Sequence, residues 1–275
     1  MMEKGMAAGG RIGRVGQAMN ANLRLILMGL VATASVSGTV YLYSTTLPTQ
    51  MKLAQCNRSS GKTAIDVCGA VIKSGKAEGD DLAAAYFSRG NAYFFMKQYD
   101  KAIGDYDEVI RLQPDSVPAL RQRGGAYLLL NRYPQALQDM DRVVKLKPDD
   151  SDSWNNRCWT RAVWGHQLDA ALADCDQALK LQPYSFAALD SRALVDLRMG
   201  KCSRAVGDAS GALSWQPDLA PSLYVRGLAR LCEGNVKDGN ADIAKAKKLD
   251  PKIAETYAGY GVKPDSAARS GVAEP

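Results

Sequence analysis

Leu112-Gln113-Pro114, Leu146-Lys147-Pro148, Leu181-Gln182-Pro183, Trp215-Gln216-Pro217 and Leu249-Asp250-Pro251 close five successive stretches of this chain of 275 residues. Their prolines stand 34, 35, 34 and 34 residues apart. A period in this range is the signature of a solenoid, in which each unit buries its apolar face only against its neighbours. Within the first unit, Tyr86, Gly90 and Tyr93 fall at i, i+4 and i+7, the spacing of one helix face. Ala102, Ile103, Tyr106, Val109 and Ile110 form a second apolar face that Pro114 closes. Asp100 is placed to cap the start of that second helix, its carboxylate accepting an orphan backbone N–H. Each unit therefore reads as two helices, and the chain as a stack of helix pairs.

The order of residue types in a unit resembles the tetratricopeptide repeat: bulky, then small Gly or Ala, then Tyr, Ala, an aromatic, Ala or Val, and Pro. The resemblance implies an all-α, right-handed superhelical solenoid of stacked antiparallel helix pairs. Five units fall at about 82–115, 116–149, 150–184, 185–218 and 219–252. An N-terminal half-unit within 44–81 is expected, with Lys62 to Ser74 as its second helix and Leu53 to Ser59 as a short first one. A capping helix over 252–260 covers the far edge, as terminal units must, and the small, polar tail 261–275 reads as disordered. Gly90, Gly124, Cys158, Ala193 and Gly227 should face Ala102, Ala136, Ala171, Ala205 and Gly239, which allows axial distances near the short end of ~8–10 Å. The third unit carries an extra residue near Gly165-His166-Gln167. The tyrosine position holds Arg161, Asp196 and Arg230 in the last three units, which reads as degenerate packing.

A charge pair also recurs. Arg89, Arg123, Arg157, Arg192 and Arg226 share one place in the first helices, and Asp105, Asp139, Asp174, Asp208 and Asp242 share one in the second. These positions lie opposite each other in an antiparallel hairpin. Either each repeat carries a bidentate Arg–carboxylate clip, or the residues are solvated charges of little energetic weight. Five coincidences favour the clip.

The first fifty residues differ in kind. Residues 1–24 are basic, with Lys4, Arg11, Arg14 and Arg24, and an uncharged apolar run follows over 25–43. Leu25 to Val31 followed by Ala32-Thr33-Ala34 reads as a signal peptide; the run as a whole reads as an anchor, just long enough for a ~30 Å hydrocarbon core. Either way the basic flank stays inside and the repeats are exported, periplasmic or tethered to the outer face of the inner membrane. The six cysteines fit an oxidising compartment, although 15 connectivities are open to them. On the solenoid each repeat touches only its neighbours, which favours Cys158 with Cys175 and Cys202 with Cys232, and leaves Cys56 with Cys68. The competing reading is six buried free thiols in a cytosolic protein.

Chemistry is hard to place on this chain. No Cys-x-x-Cys occurs and His166 is the lone histidine, so a closed metal site lacks ligands. Ser59-Ser60-Gly61-Lys62-Thr63 ends like a phosphate-binding loop, but Cys56 stands where that motif needs glycine. Asp80-Asp81 and Asp149-Asp150 sit at helix starts, where capping and dipole compensation account for them. Of the formal net charge of +6, residues 1–24 carry +3; the remainder is too dispersed for a nucleic-acid footprint. An enzyme, a cofactor and a small-molecule substrate are therefore not expected, and membrane contact is expected only through the N-terminal segment.

Protein partners remain. The resemblance implies that the first helices line a concave groove holding a peptide or partner helix. Its register assigns Phe87, Asn91, Phe94, Phe95, Arg121, Leu128, Leu129, Asn155, Trp159, Asp190, Leu194, Arg198, Tyr224 and Leu231 to that groove. Phe94, Leu128 and Leu129 serve equally well as packing between repeats. Phe87, Trp159 and Tyr224 read as a partner-facing aromatic line, and Trp154 reads as core. The function implied is a cell-envelope adaptor, with a periplasmic assembly chaperone holding unfolded or membrane-protein clients as the alternative.

Overall fold

The computed structural model describes residues 49–263, which fall within one compact unit. Among them are thirteen α-helices and no strand. The leader or anchor expected at 25–43 lies outside the described residues, as does most of the tail. An N-terminal pair, α1 (Thr49–Arg58) and α2 (Gly61–Lys73), precedes five longer pairs. These are α3 (Gly79–Phe95) with α4 (Tyr99–Leu112), α5 (Val117–Leu129) with α6 (Tyr133–Leu146), and α7 (Ser151–Trp164) with α8 (Leu168–Leu181). Then come α9 (Phe186–Arg198) with α10 (Cys202–Trp215), and α11 (Ala220–Cys232) with α12 (Val236–Leu249). The short α13 (Ile253–Gly259) ends the array. Each helix packs on its own partner and on the adjacent pair.

The recurrent prolines act through the residue before them. A proline ring clashes with a helical backbone at that position and pushes it toward extended conformations. Gln113, Lys147, Gln182, Gln216 and Asp250 accordingly end their helices with φ between −132° and −137°. One local rule, applied five times, sets the length of every second helix. The turn inside each pair needs one left-handed residue, which is Lys97, Asn131, Gly200 and Gly234 in four of the pairs. The extra residue of the third pair is absorbed by two left-handed positions, Gly165 and Gln167.

Helix pairs cross at their small residues. At Gly227 a Cβ would stand 2.7 Å from Ile243 Cγ1 and 2.8 Å from the carbonyl of Gly239. At Gly90 it would come within 2.9 Å of the Tyr106 ring, and at Gly124 it would collide with the end of Met140. Trp154 closes the core of its pair against Ala178, Leu179 and Ala188, and its indole N–H donates to the Pro148 carbonyl at 2.7 Å. Asp100 does not cap α4. That helix starts at Tyr99 with Gln98 as its N-cap, two residues earlier than a cap at Asp100 would need, and Asp100 instead pairs with Arg132 at 2.9 Å on the surface. Asp150 does cap α7, accepting from the backbone N–H of Ser153.

All five Arg–Asp pairs are bidentate. Nε and Nη2 of each arginine donate to the two oxygens of its aspartate at 2.6–2.9 Å, in Arg89–Asp105, Arg123–Asp139, Arg157–Asp174, Arg192–Asp208 and Arg226–Asp242. Four of the aspartates are buried, Asp139 at 1% exposure, so the solvated-charge reading is excluded. The remaining guanidinium nitrogen reaches back to the preceding second helix: Arg123 to Asp107 at 2.6 Å, Arg157 to Asp141 at 2.9 Å and Arg192 to Asp176 at 2.7 Å. Each of these arginines therefore ties its own pair and links it to the pair before.

The substituted tyrosine positions are not loosely packed. Tyr93 and Tyr127 lie beside the clip arginines of the first two repeats. In the third and fifth repeats Arg161 and Arg230 reach the clip aspartates themselves. In the fourth, Asp196 is fully buried and lies 3.3 Å from the half-exposed Arg204, but among the described residues neither of its oxygens has a hydrogen-bond donor.

The cysteines are joined as Cys56–Cys68 across α1 and α2, Cys158–Cys175 across α7 and α8, and Cys202–Cys232 between the fourth and fifth pairs. The Cys158–Cys175 bridge closes a loop of 17 residues, worth roughly 3 kcal/mol in the chain-entropy description.

Two sets of variants test this packing. Gly227→Ala should destabilise by ~1–3 kcal/mol, because the neighbouring backbone cannot retreat. Gly207→Ala, which meets open space on α10, should stabilise by ~0.5–1 kcal/mol through helix propensity. Denaturant unfolding of the two side by side reads the contrast. In a double-mutant cycle, Arg123→Ala should cost ~3–5 kcal/mol, since it leaves the buried Asp139 carboxylate alone, and Asp139→Ala should cost less, since Arg123 keeps Asp107. The double variant should cost much less than the combined losses.

Candidate functional site

The first helices α3, α5, α7, α9 and α11 present the residues that the repeat register assigns to the groove, and the structure divides them into two groups. On the N-terminal side the face is open. A cavity of about 480 Å3 is lined by Phe87, Val117, Pro118, Arg121, Gln122, Gly124, Gly125, Leu128, Met140, Asn156, Trp159 and Thr160. The consecutive glycines Gly124 and Gly125 leave α5 without side chains where the cavity lies. Arg121 is the one charged residue of its wall. Arg121 Nη2 is held by the Asp150 carboxylate and the Ser153 hydroxyl, while its Nε–H is buried without an acceptor. The Oδ1 atom of Asn155, one helix on, is likewise buried without a donor.

Phe87 leans on Tyr106 with ring centroids 5.9 Å apart, and the Tyr106 hydroxyl donates to Asn91 Oδ1 at 2.8 Å. Phe94 is wedged between Phe95 and Tyr99, which makes it mainly a packing residue. Phe95 and Leu129 are 77% and 51% exposed. Phe87, Arg121, Leu128 and Trp159 thus share one cavity, with Phe95 and Leu129 exposed on the same two helices as Phe87 and Leu128.

On the C-terminal side the face is covered by the chain itself. Tyr224 is 2% exposed, Leu194 is fully buried, and Asp190 accepts a hydrogen bond from the buried Ser222 hydroxyl. Tyr257 of α13 lies over Tyr224 at 5.0 Å, and Tyr260 sets its ring edge-on to Trp159 at 6.1 Å. Arg198 donates to the carbonyls of Tyr260 and Val163. The expectation that Tyr224 extends a free aromatic line is therefore corrected. Its position in the register is a groove position, but the C-terminal segment fills the space in front of it. Asp190, Leu194 and Arg198 are withdrawn from a free surface for the same reason.

Sequence reasoning missed Gln122, Met140, Asn156 and Thr160 on the cavity wall, and it missed the reach of Tyr257 and Tyr260. The signal for the last two was present, because they stand three residues apart on one face of the capping helix.

Burial governs the electrostatics of the covered half. With no cation beside it, Asp190 has its carboxyl pushed up to about 6 by burial, against a weaker opposing pull from the Ser222 hydroxyl. Burial also draws the Arg198 guanidinium below its usual value. On the open half Asp150 lies below the ordinary carboxylate range: burial raises it, but the Ser153 and Arg121 bonds together lower it more.

Asp190 yields a signed prediction. The native state holds this proton more tightly than the unfolded chain does, so its contribution to stability falls as pH rises from about 4 to about 6 and is flat above. Asp190→Asn keeps an acceptor for Ser222 and removes the titration. Relative to that variant, the wild-type chain should lose about 2 kcal/mol across this interval, measured by urea unfolding at each pH.

Comparison with known proteins agrees with this architecture. Residues 83–116 match the tetratricopeptide repeat family. An 89-residue stretch is 33% identical to the TPR repeat-containing thioredoxin TDX of Arabidopsis thaliana, covering 32% of this chain and 23% of that protein. The chain thus spans under a quarter of that relative's length. Among solved structures, a tetratricopeptide repeat protein from Parabacteroides merdae superposes with a TM-score of 0.57 at 19% identity, over 78% of this chain and 79% of the other. YrrB, described as a TPR protein with an unusual peptide-binding site, superposes with a TM-score of 0.50 at 16% identity, over 72% of this chain and all of that one. At these identities the likeness is one of fold.

Proposed function

As a tetratricopeptide-repeat protein, this chain acts, we propose, as a scaffold that holds a protein partner segment in the open half of its concave face. The observation that carries this reading is the contrast between the two halves. Equivalent register positions are sealed in the fourth and fifth repeats but form an apolar cavity in the first three, with Phe95 and Leu129 exposed on two of the helices that line it. Exposed apolar surface that is continuous with a cavity is characteristic of interaction sites. A solenoid of similar fold carries a peptide-binding site. Phe87, Leu128 and Trp159 supply flat and branched apolar contacts, Arg121 one directional charge, and Asn91 and Asn155 the amides. The residues act by excluding water and orienting a segment.

The cysteines and the N-terminal segment taken together support an oxidising compartment outside the cytoplasm. Three disulfides suit an oxidising environment, and the basic stretch before Leu25 to Tyr43 directs the repeats outward. Among the described residues no helix is long and apolar enough to cross a membrane, so any tether rests on residues 25–43. We therefore read the protein as an exported adaptor of the cell envelope, periplasmic or held at the outer face of the inner membrane.

Site-specific photocrosslinking tests the site. A crosslinker at Phe95 or Leu129 should capture one defined protein in the intact envelope, and one at the exposed Trp215 should not. Phe87→Ala should weaken that capture by at least tenfold, as loss of an aromatic anchor worth ~2 kcal/mol requires, with circular dichroism unchanged. Equal capture from all three positions would point to a chaperone with many clients.

A further inference from the structure

Residues Ile253–Val262 meet the groove as a ligand meets a receptor. A terminal cap needs only to cover the apolar edge of the last pair, here α11 and α12. This segment reaches much further. Tyr257 is enclosed against Tyr224 of α11, the Tyr260 carbonyl accepts from Arg198 of α9, and the Tyr260 ring stands edge-on to Trp159 of α7. Ile253 and Val262 are buried at its two ends. Two aromatic side chains three residues apart therefore engage α11 and α7, and the Tyr260 backbone carbonyl engages α9 between them.

The seat is imperfect in ways a better ligand would correct. Among the described residues the Tyr257 hydroxyl is buried with no hydrogen-bond partner, and so is Arg198 Nε. An unpaired buried polar group weakens a contact more than an apolar group of the same shape. Phenylalanine at the first aromatic position removes one of these defects without disturbing the ring contact with Tyr224.

We infer that the concave face of α7, α9 and α11 is a second peptide-binding site, occupied at rest by the chain's own residues 253–262. The partner that displaces them is a segment presenting two aromatic side chains three residues apart, the first without a hydroxyl. This site is separate from the open cavity and adjoins it at Trp159.

The test uses the full chain and a fluorescent synthetic peptide of residues 252–263 carrying Tyr257→Phe. The peptide should bind saturably, and hydrogen exchange over 253–262 should quicken as it does so, while α7 to α11 keep their protection. Tyr260→Ala in the chain removes one anchor of the resident segment and should tighten peptide binding at least tenfold; Val262→Ala, at the buried far end of the same segment, is the second such variant, should the first fail to fold. The parent peptide with Tyr257 should bind more weakly than the Phe peptide. Phe87→Ala should leave the titration unchanged, which separates this site from the cavity. The inference is overturned by absence of saturable binding up to millimolar peptide, by binding that leaves 253–262 protected, or by binding that Phe87→Ala abolishes.

Discussion

The clip aspartate on the second helix of each repeat, buried in four of the five, is the constraint around which the repeats are arranged. A carboxylate that leaves water needs a partner that meets both of its oxygens, and the forked guanidinium from the facing first helix does so five times. The fork tolerates little sliding, because a shift of one residue separates two parallel hydrogen bonds at once. The clip therefore sets the register of each hairpin, and the small residues beside it set the depth to which the helices approach. The third guanidinium nitrogen then reaches the preceding hairpin in the second, third and fourth repeats. A contact within a pair becomes a contact between pairs, and with the longer bond from Arg226 to the Ser210 hydroxyl of the fourth repeat at 3.4 Å the five hairpins are joined into one stack.

This framework leaves the inner face of the first helices free for other work, and the chain divides it. In repeats one to three the inner face holds a cavity whose wall is apolar apart from Arg121 and a few amide and hydroxyl groups. In repeats four and five the same face is spent on holding the C-terminal segment. Arg198 is the clearest sign of the difference. It occupies a groove position, has no carboxylate beside it, and satisfies part of its fork with two backbone carbonyls.

How far the site was legible depended on the range of the contact concerned. Leu-x-Pro endings, the small–small crossings and the Arg–Asp pairs recur with the period, so each was visible five times over. The inter-repeat aspartates Asp107, Asp141 and Asp176 were visible too, each two residues after a clip aspartate, but went unread. Arg161 and Arg230 looked like degeneration because the tyrosine they replace is apolar packing; in the fold they lie within reach of Asp174 and Asp242. Periodicity could not say which groove positions stay open, since that depends on a segment outside the period.

By itself, then, the sequence determined the all-helical pairing, the boundaries of the second helices, the clip register and the identity of the groove-forming helices. All of these follow from local backbone preference or from contacts that repeat at a fixed separation. Only the tertiary structure decided that Trp159 borders a cavity while Tyr224 is sealed. Both are assigned to the inner face, one helical turn apart in the repeat register, and the difference between them is made by the segment that carries Tyr257 and Tyr260. Tyr260 is 101 residues beyond Trp159, and its approach is set by the accumulated curvature of three stacked pairs rather than by any pattern within one.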